Sequence, residues 1–376
     1  MRKYLKNILL ISILLNSLII SSCNNSEIEP NVPSFTQEEF DEFEQNFHYT
    51  GSIKKNDIKT IKYIGKKSDV VIPNFVRVVG TDTFKGRGIS SLTFGNNINL
   101  IEKDAFISNA HLSNVYYEGS VDDWCNIKFE NLYATPMCTV IDPTYVSNPG
   151  YPVTRDLEKN LYLKNNNNEW EVLTHLAISS EITEINDAQF KNINSIKTVI
   201  IPNSIKKISH TAFHNCKSIE EISLPFVGAN ADGTGNHYFG YIFGEISELQ
   251  QKIKAKPKKV IITGNSDILE SAFGFHDALG YDFIEEIKIT GKVERIEKNA
   301  FNSCTKLSDI YLPNSIKYIG ETAFKNCYDI RNFYYAGNID EYTKIEEMLD
   351  SSLITEYADN IYVLDSNNEY INIKAL

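Results

Sequence analysis

The chain is short of several things, and each shortage excludes a class of protein. It is short of positive charge: 37 Lys and Arg stand against 49 Asp and Glu, a formal net charge of −12 over 376 residues. A surface of that sign repels phosphate backbones and anionic lipid headgroups, so no nucleic-acid partner is expected. It has no apolar stretch after the first 20 residues that approaches membrane-spanning length. Six cysteines in a chain of this size are too few for a disulfide-dense scaffold. Hydrolase elbows, zinc-protease helices and calcium loops are missing. Paired acids such as Asp122-Asp123 occur, but nothing frames them as a general acid and base. No enzyme and no cofactor are therefore expected. What remains, 42% hydrophobic and 23% charged residues, is globular composition with ample length for a core.

The first residues read as an export signal. Arg2, Lys3 and Lys6 precede an apolar run from Ile8 to Ile20, broken only by Ser12, Asn16 and Ser17. That run is too short and too interrupted to span a bilayer stably. It ends in Ile20-Ser21-Ser22-Cys23, which resembles the bacterial lipobox. The resemblance implies cleavage after residue 22 and lipid on Cys23, the only membrane attachment expected. Several acyl chains hold a protein firmly where one does not. Residues 23–35 then form a polar, proline-containing tether. Asn24, where aspartate often signals retention at the inner membrane in lipoprotein families, leans the placement toward an outer membrane and the cell surface.

The body repeats. Val199, Ile201, Pro202, Ile205, Ile208, Ala212-Phe213, Cys216 and Ile219 match Ile310, Leu312, Pro313, Ile316, Ile319, Ala323-Phe324, Cys327 and Ile330 slot for slot. The grid recurs from Ile287, with Ala300-Phe301 and Cys304, and from Leu92, with Ala105-Phe106. Further copies begin at Val70 and Leu176, and a degenerate one at Val260. Phe190 to Phe213 and Phe301 to Phe324 are each 23 residues apart, and Phe84 to Phe106 is 22. A fixed period of this length means stacked coils, each unable to bury its apolar face alone. Alternation at Val199 and Ile201 reads as a short strand buried on one face. An array needs caps, and residues 36–50 offer one: Thr36 and Glu39 form a capping box, with Phe40, Phe43 and Phe47 on one helical face.

This pattern resembles the BspA-type leucine-rich repeat of bacterial surface proteins, over most of residues 60 to 340. The resemblance implies a right-handed, β-rich solenoid with short parallel strands on its concave face, and an association with adhesion. It is specific to the fold and nearly silent about the ligand. A first array covers 51–120, an irregular segment with a hairpin 121–175, a second array 176–345 with an insertion at 225–257, and a hairpin cap 346–376. The two arrays end alike: Tyr116-Tyr117-Glu118-Gly119 answers Tyr334-Tyr335-Ala336-Gly337. A candidate hairpin from Asn160 to Val172 has its counterpart 200 positions on. The insertion, with Phe239, Tyr241 and Phe243, resembles one found in relatives of this repeat class and is expected to pack over the coil edge.

Few residues suggest chemistry. His210 and His214 have metal-ligand spacing, but the grid puts them in slots held elsewhere by Glu321 and Lys325, so a plain surface role is expected and no metal. Gly233, Gly235, Gly240 and Gly244 make a poor phosphate loop, with no lysine-serine pair following. With Cys23 lipidated, five cysteines remain. Cys304 and Cys327 share a slot in consecutive coils, close enough for a disulfide, yet read as packed free thiols. Cys125 and Cys138 are the better pair for a bridge. The candidate binding face is formed by strand residues between buried slots: Glu286 and Lys288, Asp309 and Tyr311, Asn332 and Tyr334. Stacking sets Lys288, Tyr311 and Tyr334 in one column. Exposed tyrosines on a rigid sheet are common anchors; tyrosine also simply suits strands. The expectation is a non-enzymatic surface lipoprotein binding a host or bacterial surface protein or a glycan, with an envelope scaffold in the periplasm as the alternative.

Overall fold

The computed structural model describes residues 35–52, 57–109, 111–138, 159–244, 255–274, 281–352 and 354–375. The expected signal peptide, Cys23 and the tether up to residue 34 lie outside the described residues. From Phe35 onward the chain forms one compact unit.

Each coil opens with a strand whose residues alternate buried and half-buried, because pleating sends successive side chains to opposite faces. Strands of successive coils pair parallel and in register. Asp69–Ile72, Ser91–Phe94, Asn114–Tyr117 and Asn160–Lys164 form one sheet, closed by antiparallel Trp170–Val172. The longer sheet runs through His175–Ala177, Thr198–Ile200, Glu221–Leu224, Lys259–Ile262, Glu286–Ile289, Asp309–Pro313, Asn332–Ala336 and Asn360–Leu364. Antiparallel Tyr370–Asn372 closes it. Shorter ladders form the return side of the coils, as where Val78–Val79 pairs with Leu100–Ile101. The result is a β-rich repeat solenoid, with no closed barrel among the described residues. Both hairpins expected from the duplicated ends are present, and each adds its first strand, parallel, to the array before it.

The return side explains the Ala-Phe step. Phe84, Phe106, Phe190, Phe213, Phe273, Phe301 and Phe324 are fully buried, with rings of adjacent coils stacked 5.0 to 5.4 Å apart. The chain reverses within a few residues on either side of each ring. Asp104, Asn299 and Thr322, two positions before a Phe, and Ser108, Ser303 and Asn326, two after, all have positive φ. Side chains rarely adopt this region, so packing must supply what the local backbone costs. Where a regular coil follows, the Phe N–H donates to its alanine carbonyl, as from Phe84 to Ala105 at 2.8 Å and from Phe301 to Ala323 at 2.8 Å. Alanine keeps that approach open.

The cysteine slot has a job that an apolar reading misses. Cys216 Sγ donates to Phe190 O of the preceding coil at 2.9 Å, Cys304 to Phe273 O at 3.4 Å and Cys327 to Phe301 O at 3.1 Å. In the first array Asn109 takes the slot, and its Nδ2 donates to Phe84 O at 2.7 Å. In these four coils the slot holds a compact side chain able to donate, which satisfies a buried carbonyl. None of the five described cysteines is in a disulfide, and all are buried. The bridge expected between Cys125 and Cys138 is therefore corrected: both thiols pack into the joint after the first array.

The cap is a helix, Gln37–Asn46, followed by an antiparallel hairpin of Phe47–Ser52 with Asp57–Tyr63. Thr36 and Glu39 form the expected capping box. Phe43 and Phe47 are buried and stack at 5.0 Å, but Phe47 begins the strand, because the helix ends at Asn46. Two further capping boxes, Ser120 with Asp123 and Asn338 with Glu341, start short helices at matching places in the duplication. These sink Trp124 and Tyr342 into the core. Trp124 also couples the arrays: its Nε1 donates to Gln189 O at 2.8 Å, and Gln189 Nε2 returns a bond to Trp124 O.

The insertion is integral to the stack. Phe239 and Phe243 are buried within the phenylalanine column, ring centroids 4.9 Å from Phe273 and 6.4 Å from Phe213 respectively. Phe213 N donates to Ile242 O and Phe239 N to Ala272 O, the same bonds that join regular coils. Its described residues up to Gly244 form the return side of the coil opened by Glu221–Leu224. The expected packing over a coil edge holds only for Tyr238 and Tyr241, which lie partly buried against the core.

Candidate functional site

Parallel register carries the exposed strand positions into columns. Glu286, Asp309, Asn332 and Asn360 are successive partners in one column, and Lys288, Tyr311, Tyr334 and Tyr362 in the next. All six residues of the candidate face thus lie together, half-buried, on the outer face of the long sheet. Tyr311 and Tyr334 stack at 4.3 Å with their planes 2° apart, and Tyr334 and Tyr362 at 4.6 Å and 10°. Lys288 Nζ stands over the Tyr311 ring at 5.3 Å, a cation–π contact at the end of the stack. Burial, followed by the nearby Tyr334 and Glu286, pushes the Tyr311 phenol well above its ordinary value. Burial likewise raises Tyr334. These hydroxyls remain protonated at neutral pH, so each can both donate and accept.

A polar ladder runs alongside. Asn332 Nδ2 donates to Asp309 Oδ1 at 2.8 Å, Asn360 Nδ2 to Asn332 Oδ1 at 3.1 Å, and Asn372 Nδ2 to Asn360 Oδ1 at 2.8 Å. Each amide keeps a second N–H for another acceptor. Nearer the middle of the sheet Lys259 pairs with Glu221 at 3.6 Å and with Glu286 at 3.7 Å. Such exposed pairs add little stability, but they hold the charges in place.

Three members of this site escaped sequence reasoning. Tyr362, Tyr370 and Asn360 belong to the terminal hairpin, which joins the face only by pairing with the last coil. Tyr370 lies crosswise to Tyr334, centroids 5.3 Å apart at 73°. A second copy was also missed. Tyr116 and Tyr162 stack at 4.6 Å on the first sheet, Trp170 stands crosswise at 5.2 Å and 69°, and Lys164 Nζ lies over the Trp170 ring at 5.1 Å. The signal in the sequence is Asn-x-Tyr, found at Asn114, Asn160, Asn332 and Asn360 in the last two parallel strands of each array.

The remaining candidates lead away from chemistry. His210 and His214 are half-buried, not on open surface, because the enlarged coil folds over them: Tyr241 packs 5.2 Å from His210, and Gly244 leaves no room for a Cβ against His214. No group of three or more His, Cys, Asp or Glu that could hold a metal occurs among the described residues. Gly233 lines a cleft of about 510 Å³ with Asn203, Asp232, Asn265 and Asp267. Gly233, Gly235 and Gly244 have positive φ, which explains the glycines as turn residues.

A stack of near-identical coils presenting fixed side chains from parallel strands is the architecture of a repeat-type recognition protein. The family description "BspA type Leucine rich repeat region" matches residues 16–136, 164–251 and 275–349, in six copies, and the chain belongs to that family. Membership gives it the general character of a surface or protein-interaction repeat protein. Among solved structures it is similar to a leucine-rich repeat protein from Bacteroides ovatus, at 16% identity over 79% of this chain and 95% of that one, TM-score 0.30. A leucine-rich cell surface protein from Faecalibacterium prausnitzii matches at 15% identity over 79% and 95%, TM-score 0.23. The pneumococcal vaccine antigen PcpA matches at 16% over 78% and 81%, TM-score 0.28. No curated protein matches the chain. Among the described residues no helix is long and apolar enough to cross a membrane.

Proposed function

We propose that this protein is an exported lipoprotein, held by lipid on Cys23, that binds a partner at the cell surface through the outer face of its long sheet and catalyses no reaction. The observation that carries the reading is the column of Lys288, Tyr311 and Tyr334 beside Asp309 and Asn332. Its rings are already ordered by stacking, so little side-chain entropy is lost on binding. Aromatic anchors with polar neighbours are what binding surfaces concentrate. Adhesion to a host or bacterial surface protein or glycan is the role that fits.

Protease shaving of intact cells, followed by blotting for the repeat region, tests the placement. Loss of the repeats with a periplasmic control intact supports surface display. Full protection sinks the adhesion reading and promotes a periplasmic scaffold. For the face itself, Tyr311→Ala and Tyr334→Ala should each weaken binding to whole target cells by roughly 1–3 kcal/mol. Unchanged binding in both variants would sink the assignment.

A further inference from the structure

The aromatic end of the long sheet is one of a pair. At the close of each array two stacked tyrosines, Tyr116 on Tyr162 and Tyr334 on Tyr362, share the same 4.6 Å separation. Each pair is crossed by one ring from the hairpin's return strand, Trp170 or Tyr370. An asparagine sits two residues before each tyrosine, facing outward. Coil stacking does not demand this: the equivalent outward positions of other coils hold Ala177, Ile200, Ser223 and Ile261. The flanks have diverged, with Thr93 where the second copy has Tyr311, while the Asn-x-Tyr pairs and the crosswise ring are kept.

We infer that these are two equivalent subsites for a neutral glycan chain, so that the protein grips a polysaccharide at two places; this rests on the proposed binding role of the sheet face. The tyrosine faces are covered by one another, so a ligand meets ring edges, phenol hydroxyls and side-chain amides, with one more open ring at 38% (Trp170) or 42% (Tyr370) exposure. That surface presents polar edges and amides more than open apolar faces. It suits a ligand made of hydroxyl groups and C–H faces. Neighbouring strands lie about 4.8 Å apart, close to the advance of one sugar residue along an extended chain. Glu286 and Asp309 flank one subsite, beside Lys288, and Asp69 the other, where Glu118 is paired with Lys164 at 3.2 Å. The single lysine beside each subsite is matched by these acids, so no local excess of positive charge attracts an anion, and the net charge of −12 disfavours sulfated, uronic or sialylated chains. Two subsites on one chain favour a polymer over its short fragments through effective concentration.

The test is a printed array of neutral and acidic glycans probed with the protein from Phe35 onward, the compact unit. Titration of the best neutral polysaccharide and of its short oligosaccharide follows. Binding confined to neutral glycans is expected. The double variant Tyr116→Ala/Trp170→Ala, and separately Tyr362→Ala/Tyr370→Ala, should each lower polysaccharide affinity at least tenfold and halve the oligosaccharide stoichiometry, with circular dichroism unchanged. Tyr362→Phe, which keeps the stack and removes one hydroxyl, should weaken binding, but less than Tyr362→Ala/Tyr370→Ala. Absence of neutral-glycan binding, binding to acidic glycans only, or full stoichiometry in both double variants overturns the inference. If glycans fail while Tyr311→Ala still weakens attachment to target cells, the binding face stands and only the ligand class falls.

Discussion

Lys159 should make stability depend on pH in a way that a single substitution removes. Its side chain is fully buried at the joint between the arrays, and Nζ donates to Pro136 O at 3.0 Å. Burial pushes its ammonium down from 10.5 to about 8, with the nearby Cys138 offsetting a little. The gap corresponds to about 3 kcal/mol. Below pH 8 the lysine is charged in both folded and unfolded chains, so the cost of burying the charge is fully present. Between pH 8 and 10.5 the unfolded chain still holds the proton and the folded chain does not, so stability rises with pH across that window. Lys159→Met removes that charge and its share of the slope together, leaving the smaller contribution of the also buried Lys191 in both proteins. It also leaves the Pro136 carbonyl without its donor, a loss of about 1–3 kcal/mol that offsets the gain at pH 7. The decisive quantity is therefore the difference between the two proteins as a function of pH. Wild type should gain about 3 kcal/mol on the variant between pH 7 and 10.5. Urea unfolding followed by tryptophan fluorescence reads it, since Trp124 hydrogen-bonds across the same joint. Parallel pH profiles for the two proteins would refute the reasoning.

Three further expectations concern the coil. Phe301→Ala removes a ring stacked at 5.0 and 5.1 Å on both neighbours and should cost about 3–5 kcal/mol in urea unfolding; a loss below about 1 kcal/mol would mean the column is not the core it resembles. Burial pushes the Cys125, Cys216 and Cys327 thiols up to about 12, so iodoacetamide at pH 8 should leave them unlabelled in the folded protein and modify them fully in urea; rapid labelling without denaturant would contradict their burial. Gly291→Ala would put a Cβ 1.7 Å from Gly264 O of the preceding coil, and the forced shift should lower stability by about 1–3 kcal/mol on thermal unfolding. An unchanged midpoint there would show that adjacent coils separate freely.

The amino-acid sequence by itself determined the coil. Val199 with Ile201 and Ile310 with Leu312 specify which strand face is buried, because the pleat has a period of two and admits no other reading. The recurrence of Ala-Phe then sets the repeat length, and with it the column holding Lys288, Tyr311 and Tyr334. The capping box at Thr36 was legible for the same reason: it is a local pattern closed within four residues. Tertiary structure alone decided what one coil does to the next. That Cys216 and Asn109 perform one task is visible only once a phenylalanine carbonyl lies above each. That Phe239 and Phe243 complete a coil depends on a turn whose length broke the period. That Tyr362 and Tyr370 join Tyr334 depends on which edge the final hairpin pairs with. Periodicity records constraints a segment meets along its own chain, whereas hydrogen-bond partners, burial of Lys159 and aromatic clusters are set by contacts between segments the chain order keeps apart.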